Sequence, residues 1–527
     1  LLGREEKVDM RERGIGLLLV ALAVVSCIPL HTWAIDEIPV TRWAGPEGTR
    51  PTTYEEWLSY QPAPTPAHVE KAYQTVGQGR GVRFDIVVND NLYEDIVAPL
   101  TTYIADVELE GHMVTIYEWS GGTPSDLRGF MRIEYSVGTE GFLLIGDLPT
   151  PWYELDYWGY EEFPIDFYYM DLDGTFGDSD HDGLYDSHTG EVLPEVWTAR
   201  LTASPLVMGG KDEVDHLFNY FRKNHEHRRG DINLDRRALV YVDDDWEPWA
   251  DEWSGDVGLA YQTRTLVKDP YETTHWDYEA RLDDNYEWVL VCAHSWPGGH
   301  YFYEGSGGGY TYVSEVVAID PVALGYNLFA CSNARYTEED YMGGWYIFCD
   351  TYGLDAVGST KTGAMLEFDE FYRPMGCGRN VGESFRDWFE AIGEDGYSDY
   401  EKAWHYGMTL LGDPTLVYAE PVSIELIPES VIVKRGGKLC FDATLTNEVD
   451  TTQVWDVWTE AILPNGSVKA VEPPRTFTLS GGQSISAHIC HKVPGGAPLG
   501  DYTYCAKVGM YPADVVAMDC FDFTVVP

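Results

Sequence analysis

The spacing of hydrophobic and polar positions changes character several times along the chain, and the changes divide it. From Arg83 onward, short unbroken apolar runs alternate with stretches whose apolar residues recur at helical spacing. Residues 84–88 form an apolar run of strand length. Over 92–107, Ile96, Val97, Leu100, Ile104 and Val107 recur at helical spacing. Residues 113–117 read as the next strand, 125–135 as a helix behind a Thr-Pro start, and 141–145 as a buried strand ending in Gly146-Asp147. Strand, helix, strand, helix, strand predicts a parallel sheet with helices on its faces. A second set follows. A helix over 212–222 places Val214, Leu217, Phe218 and Phe221 on one face. Strands over 238–242, 288–292, 326–330 and 355–358 each end in small or polar residues, as strand ends that build a site do. A helix over 382–391 and the segment 411–416 close this part. From about residue 421 strict alternation takes over (423–427, 439–443, 521–525) with turn residues between, the pattern of an Ig-like β-sandwich. Residues 35–80, rich in Pro, Thr and Trp, show little periodicity and read as a linker or pro-segment. The expected organisation is therefore two α/β subdomains, 81–205 and 206–420, followed by an all-β domain over 421–527.

Composition narrows the function classes. At 527 residues the chain exceeds one core, and 44% hydrophobic with 14% aromatic residues suits packed domains rather than disorder. Asp and Glu number 87 against 35 Lys and Arg, a formal net charge of -52. Such a surface repels nucleic acid and anionic lipid, which excludes both as natural partners. The first residues carry an address instead. Met10-Arg-Glu-Arg precedes an apolar run over 14–25 that is short for a bilayer span, so 1–34 reads as a signal-peptide region. Two cleavage readings stand side by side. Val24-Val-Ser-Cys27 resembles a lipobox, which would make Cys27 a lipid anchor and the chain's one link to a membrane; Thr32-Trp-Ala34 suits an ordinary signal peptidase. Both export the protein to the cell surface or beyond. In an oxidising compartment the last four cysteines become disulfide candidates. Cys505 and Cys520 flank the turn near Tyr511-Pro512 symmetrically, which leaves Cys440 for Cys490.

Two sets of residues carry candidate chemistry. His294 and Cys331 each stand just past an apolar strand, where neighbouring strand ends share a crevice. An imidazole beside a thiol stabilises the thiolate nucleophile and then protonates the leaving group. His300, in a Gly-rich loop farther from the strand end, is the rival histidine. His225-Glu-His227 reads as a helix end rather than a transition-metal site. Separately, Asp178, Asp180, Asp182 and Asp186, with Gly183 at the sixth position, match the first half of a calcium loop, to which Leu184 would add its carbonyl. Position twelve is Thr189 where a bidentate Glu is usual, so Glu191 or Glu195 would have to substitute. The expected role of a Ca²⁺ ion there is structural.

Six segments, in order, resemble the gingipain family of secreted cysteine peptidases, which share the caspase-like fold. They are Phe142-Leu-Leu-Ile-Gly-Asp147-Leu-Pro149, Asp166-Phe-Tyr-Tyr169 followed by Asp171-Leu-Asp173-Gly174, Val289-Leu-Val-Cys-Ala-His294, Asn327-Leu-Phe-Ala-Cys331-Ser, Ala356-Val-Gly-Ser-Thr360, and Leu411-Gly-Asp-Pro414. The resemblance spans about 84–418. It implies an endopeptidase acting on protein or peptide substrates, with Cys331 as nucleophile and His294 as acid–base partner. It also implies that the backbone N–H groups of Cys331 and of the residue after the histidine hold the oxyanion. That residue is Ser295 where the family has Gly, a departure that favours a rival class, a non-catalytic cell-surface binding protein on a peptidase scaffold. Of the three carboxylates after the 238–242 strand, Asp243, Asp244 and Asp245, the resemblance points to Asp245 as the group that orients the imidazole. By the same carry-over Asp256 would serve a pocket for a basic substrate side chain.

Overall fold

Apolar runs such as those over 141–145, 238–242 and 288–292 become strands of one large mixed sheet. In chain order the strands are β1 (His68–Gln74), β2 (Arg83–Asn89), β3 (Met113–Ser120), β4 (Gly141–Ile145), β5 (Trp152–Asp156), β6 (Tyr160–Pro164), β7 (Thr175–Gly177), β8 (Ser187–Thr189), β9 (Trp197–Leu201), β10 (Ala238–Val242), β11 (Arg264–Val267), β12 (Trp288–Trp296), β13 (Gly299–Glu304), β14 (Gly307–Tyr312), β15 (Gly325–Ala330), β16 (Asp355–Ser359) and β17 (Met408–Gly412). The main sheet runs β1-β3-β2-β4-β9-β17-β16-β15-β12-β10-β11, with the β13–β14 hairpin attached to β12. Neighbours from β3 to β17 are parallel, β17 and β16 are antiparallel, and those from β16 to β11 are parallel again. Two parallel stacks of opposite direction thus meet at β17. The computed structural model describes residues 38–527 except 77–81, 233, 305–306, 419–421, 449–451 and 512–513; the expected signal region over 1–34 and Cys27 lie outside the described residues. Val40–Pro527 forms one compact unit.

Three features differ from the expectations. The two α/β segments share a single sheet, because β17, the last strand of the second, inserts between β9 and β16. The stretch over 35–80 contains a helix, Tyr54–Tyr60, closed by a Thr53/Glu56 capping box, and the edge strand β1, which pairs antiparallel with β3. The helix Glu213–Arg228 turns its face by about one position. His216, Leu217, Tyr220 and Phe221 are buried on it while Phe218 is 42% exposed.

A buried ion pair fastens the join at β17. Arg200, on β9, directs Nε at both oxygens of Asp166 (2.7 and 2.8 Å). Asp166 also accepts from Tyr336 Oη at 3.0 Å and from Thr409 Oγ1, on β17, at 2.6 Å. With both carboxylate oxygens hydrogen-bonded, the charges tolerate the interior; removing one partner of such a pair costs roughly 3–5 kcal/mol.

The C-terminal region is all β: β18 (Val422–Pro428), β19 (Ile432–Lys434), β20 (Lys438–Asn447), β21 (Gln453–Ile462), β22 (Val468–Leu479), β23 (Ser484–Lys492), β24 (Gly500–Met510) and β25 (Asp514–Val526). A β18-β20-β23 sheet faces a β19-β25-β24-β21-β22 sheet over a core that includes Leu439, Phe441, Tyr504 and Phe523. Both disulfides, Cys440–Cys490 and Cys505–Cys520, join residues directly opposite on antiparallel strands, as the sequence predicts.

Candidate active site

The fold brings three strand ends together. β10, β12 and β15 are adjacent and parallel, with Val242 level with Cys292, Cys292 with Phe329, and Ala293 with Ala330. After β10 the chain passes to β11 on one side and then to β12 on the other. The strand order therefore reverses between β10 and β12, where open α/β sheets leave a crevice. Asp245, His294 and Cys331 all leave the sheet at this edge.

The three consecutive acids after β10 take different roles, because a 3-10 turn over Asp244–Trp249 begins there and fans them apart. Asp243 is buried; its Oδ2 accepts the Tyr303 N–H at 3.0 Å, and burial pushes its carboxyl up to about 8. Asp244 Oδ1 accepts from Thr273 Oγ1 at 3.2 Å. Asp245 Oδ2 lies 2.9 Å from His294 Nε2, and that hydrogen bond holds its carboxyl below the usual range. Trp246 packs edge-on against the imidazole at 4.8 Å. The other ring nitrogen fixes the tautomer: Nδ1 accepts the backbone N–H of Arg42 at 3.0 Å, so the ring proton sits on Nε2, toward Asp245.

Cys331 opens a turn at the end of β15 and is fully buried. Ser332, next to it, is buried at φ 54°, a left-handed conformation that a side chain makes costly. The thiol lies 3.6 Å from the hydroxyls of Ser332 and Thr362. Burial first, and then the Glu161 carboxylate, push it up to about 11. Glu161 is itself placed by β6 and accepts the Thr362 N–H at 3.1 Å.

Ser295 has a structural use for its hydroxyl. Its Oγ lies 2.7 Å from His300 Nδ1, His300 Nε2 is 3.0 Å from Tyr346 Oη, and Tyr346 is 2.6 Å from Tyr278 Oη. His300, pushed down to about 3 by burial, is thereby a neutral core residue behind the site. Asp256 sits on the helix Ala250–Val257 and faces the helix Phe368–Gly376; burial and the neighbouring Asp369, Glu252 and Glu367 push its carboxyl up to about 7.

A segment within the stretch expected to be a linker or pro-segment crosses this edge. Thr41, fully buried, donates its hydroxyl to Gly363 O (3.2 Å) and accepts the Gly363 N–H (3.0 Å). Arg42 O accepts the Ser295 N–H at 3.3 Å, and Ala44 N–H donates to Ser295 O at 3.0 Å, which makes Trp43 a parallel bridge partner of Ser295. The Arg42 guanidinium reaches Asp245 at 3.5 Å. Nothing in the spacing around 41–44 signals this pairing, since isolated bridges carry no periodicity.

In the acidic loop, the carboxylates of Asp178, Asp180 and Asp182 converge within 4.8 Å, and Glu154 joins Asp180 and Asp186 in a second such group. Gly183 has φ 98° and Leu184 is buried, its N–H donated to Asp182. Glu195 does not substitute at position twelve: it groups with Asp171 and Asp173 and accepts the Leu172 N–H at 2.6 Å. Glu154, on β5, is the additional carboxylate that linear spacing could not reveal.

No family model matches the chain, and no curated protein matches it. Solved structures that match are partial and distant. An alkylpurine DNA glycosylase from Pseudomonas fluorescens shares 13% identity over 21% of this chain and 32% of its own (TM-score 0.18). A CARDB domain from Pyrococcus furiosus shares 16% over 20% of this chain and 90% of its own (TM-score 0.16). A sporulation control protein from Bacillus subtilis shares 12% over 20% of this chain and 50% of its own (TM-score 0.17). This chain thus spans about a third of the first of these proteins and half of the last.

Proposed function

We propose that the chain is an exported cysteine endopeptidase of the gingipain-like kind, with a caspase-like sheet as its catalytic scaffold. The observation that carries the reading is the arrival of Asp245, His294 and Cys331 at three adjacent strand ends. Cys331 Sγ attacks the scissile carbonyl carbon while His294 Nδ1 takes its proton, the acceptor nitrogen that the Asp245 contact leaves free. Backbone N–H groups of Cys331 and Ser295 hold the oxyanion. Collapse returns the proton to the leaving amine and leaves a thioester, which a water deprotonated by His294 then hydrolyses. Asp256 and its acidic neighbours suit a basic substrate side chain. The two disulfides fit an oxidising compartment.

In this arrangement the peptidase is latent. Arg42 supplies an amide to the base nitrogen and a carbonyl to the Ser295 N–H, the two groups that a substrate needs. The stretch 40–44 then serves as the restraining part of a pro-segment.

The test is labelling with iodoacetamide and casein hydrolysis by processed wild-type and Cys331→Ala protein. Casein is expected to be cut by the wild type alone, with Cys331 alkylated faster than an ordinary thiol. Absence of both would leave the binding-protein reading.

The acidic loop suits structural Ca²⁺: Asp178, Asp180, Asp182, Asp186, Glu154 and the Leu184 carbonyl supply hard oxygen donors. Because β5 pairs with β6, which carries Glu161, a cation there would also brace the wall beside Cys331. Adding millimolar Ca²⁺ is expected to raise the unfolding temperature by several degrees, and Asp180→Ala to remove that response. An unchanged midpoint in wild type would exclude the site.

A further inference from the structure

The outward face of the C-terminal sandwich carries a second sulfur–imidazole site. β23 is an edge strand, and four of its residues pair with β20 across the solvent face: Cys490 with Cys440, His488 with Asp442, Ser486 with Thr444, and Ser484 with Thr446. Phe441 and Leu445, between them on β20, are buried. His488 bridges the first two pairs. Its Nδ1 lies 2.8 Å from Asp442 Oδ1 and its Nε2 3.5 Å from Cys490 Sγ. Cys490 is exposed, and the His488 side chain is 51% exposed. The second disulfide lacks these features. Cys505 is buried on a strand flanked on both sides, and the residue level with it on β21 is Glu460, which is ion-paired to Lys507 at 2.6 Å.

We propose that Cys440–Cys490 is a thiol-exchange site, with His488 as the acid for the leaving sulfur and a low-molecular-weight thiol as its reactant. The thiolate of that compound attacks Cys440 Sγ. A new disulfide forms between them, the Cys440–Cys490 bond breaks, and its electron pair goes to Cys490 Sγ. His488, as imidazolium, gives its Nε2 proton to that sulfur, while Asp442 holds the ring in place through Nδ1. In the reverse step Nε2 recovers the proton, Cys490 attacks Cys440 Sγ, and the small thiol leaves. No electrons are gained or lost overall, and the product is a mixed disulfide on an exposed strand edge. Position favours attack at Cys440, because among the described residues the imidazole lies against the Cys490 sulfur.

Intact protein incubated with free cysteine at neutral pH, quenched with iodoacetamide and mapped by mass spectrometry, tests this. Cys440 is expected to acquire cysteine, and Cys490 alkylation, about tenfold or more sooner than either Cys505 or Cys520 reacts. His488→Gln is expected to slow opening of the first pair about tenfold and leave the second unchanged. The second disulfide reports in the same molecule whether the variant has unfolded. Equal opening rates for the two disulfides, cysteine arriving on Cys490, or a His488→Gln rate equal to wild type would each overturn the proposal.

Discussion

Cleaving or deleting the chain through Ala44 is expected to raise the alkylation rate of Cys331 on the order of 100-fold at neutral pH, with peptidase activity appearing alongside. The argument starts from the thiol. Pushed up to about 11 by burial and by Glu161, Cys331 holds almost no thiolate at neutral pH. Its proposed partner is engaged elsewhere, since His294 Nδ1 accepts from Arg42 and Nε2 faces Asp245. Removing 40–44 takes away the Thr41 contacts with Gly363, which lies next to the Thr362 that touches the thiol. It also frees Nδ1 and the Ser295 N–H at once. Thiolate stabilised by an imidazolium then replaces a buried neutral thiol, which is a change of several powers of ten in thiolate fraction; the ordered crevice retains part of it. Thr41→Val gives a graded control: it removes both Gly363 hydrogen bonds while keeping the backbone pairing with Ser295. It should raise the rate only a few-fold. Labelling as slow after cleavage as before would show that the segment does not restrain the thiol.

How much of this was legible in the sequence follows from the range of each interaction. The buried strands β4 and β10 are continuous apolar runs and read directly, and β12 extends four residues beyond the predicted end because Ala293, His294, Ser295 and Trp296 go on to pair with β15 and with the β13 hairpin. β9 was not legible, since Arg200 interrupts it; only the distant Asp166, Tyr336 and Thr409 make that charge acceptable in a core. The same holds at the site. Strand-end spacing marks His294 and Cys331, whereas Thr362, Glu161 and Arg42 reach the crevice through loops, a hairpin and an isolated bridge that leave no periodic trace. Ser295 reads as a departure in sequence, and its buried bond to His300 supplies a local reason for a hydroxyl there.

In the proposed mechanism the Asp243–Asp244–Asp245 run separates stability from catalysis in one turn of chain. Asp245→Asn is expected to reduce the rate of the processed enzyme about 1,000-fold or more, because an amide facing Nε2 no longer selects the tautomer that leaves Nδ1 as base. Its effect on stability should be small, as the Asp245 side chain is 42% exposed. Asp243→Asn should do the reverse. The folded state raises the Asp243 carboxyl to about 8 from an ordinary 3.8, so between those values the native protein holds a proton that the unfolded chain has lost. Stability contributed by this group is therefore present at low pH and declines as pH rises toward about 8. Asparagine has no proton to lose, and its amide oxygen still accepts the Tyr303 N–H. The stability of Asp243→Asn relative to wild type is then expected to increase by about 3–4 kcal/mol between about pH 5 and about pH 8, read from denaturant unfolding at each pH. A pH-independent difference would mean that Asp243 stays ionised in the folded protein. It would then be a charge held by its backbone donors rather than a protonated core group beside the active-site turn.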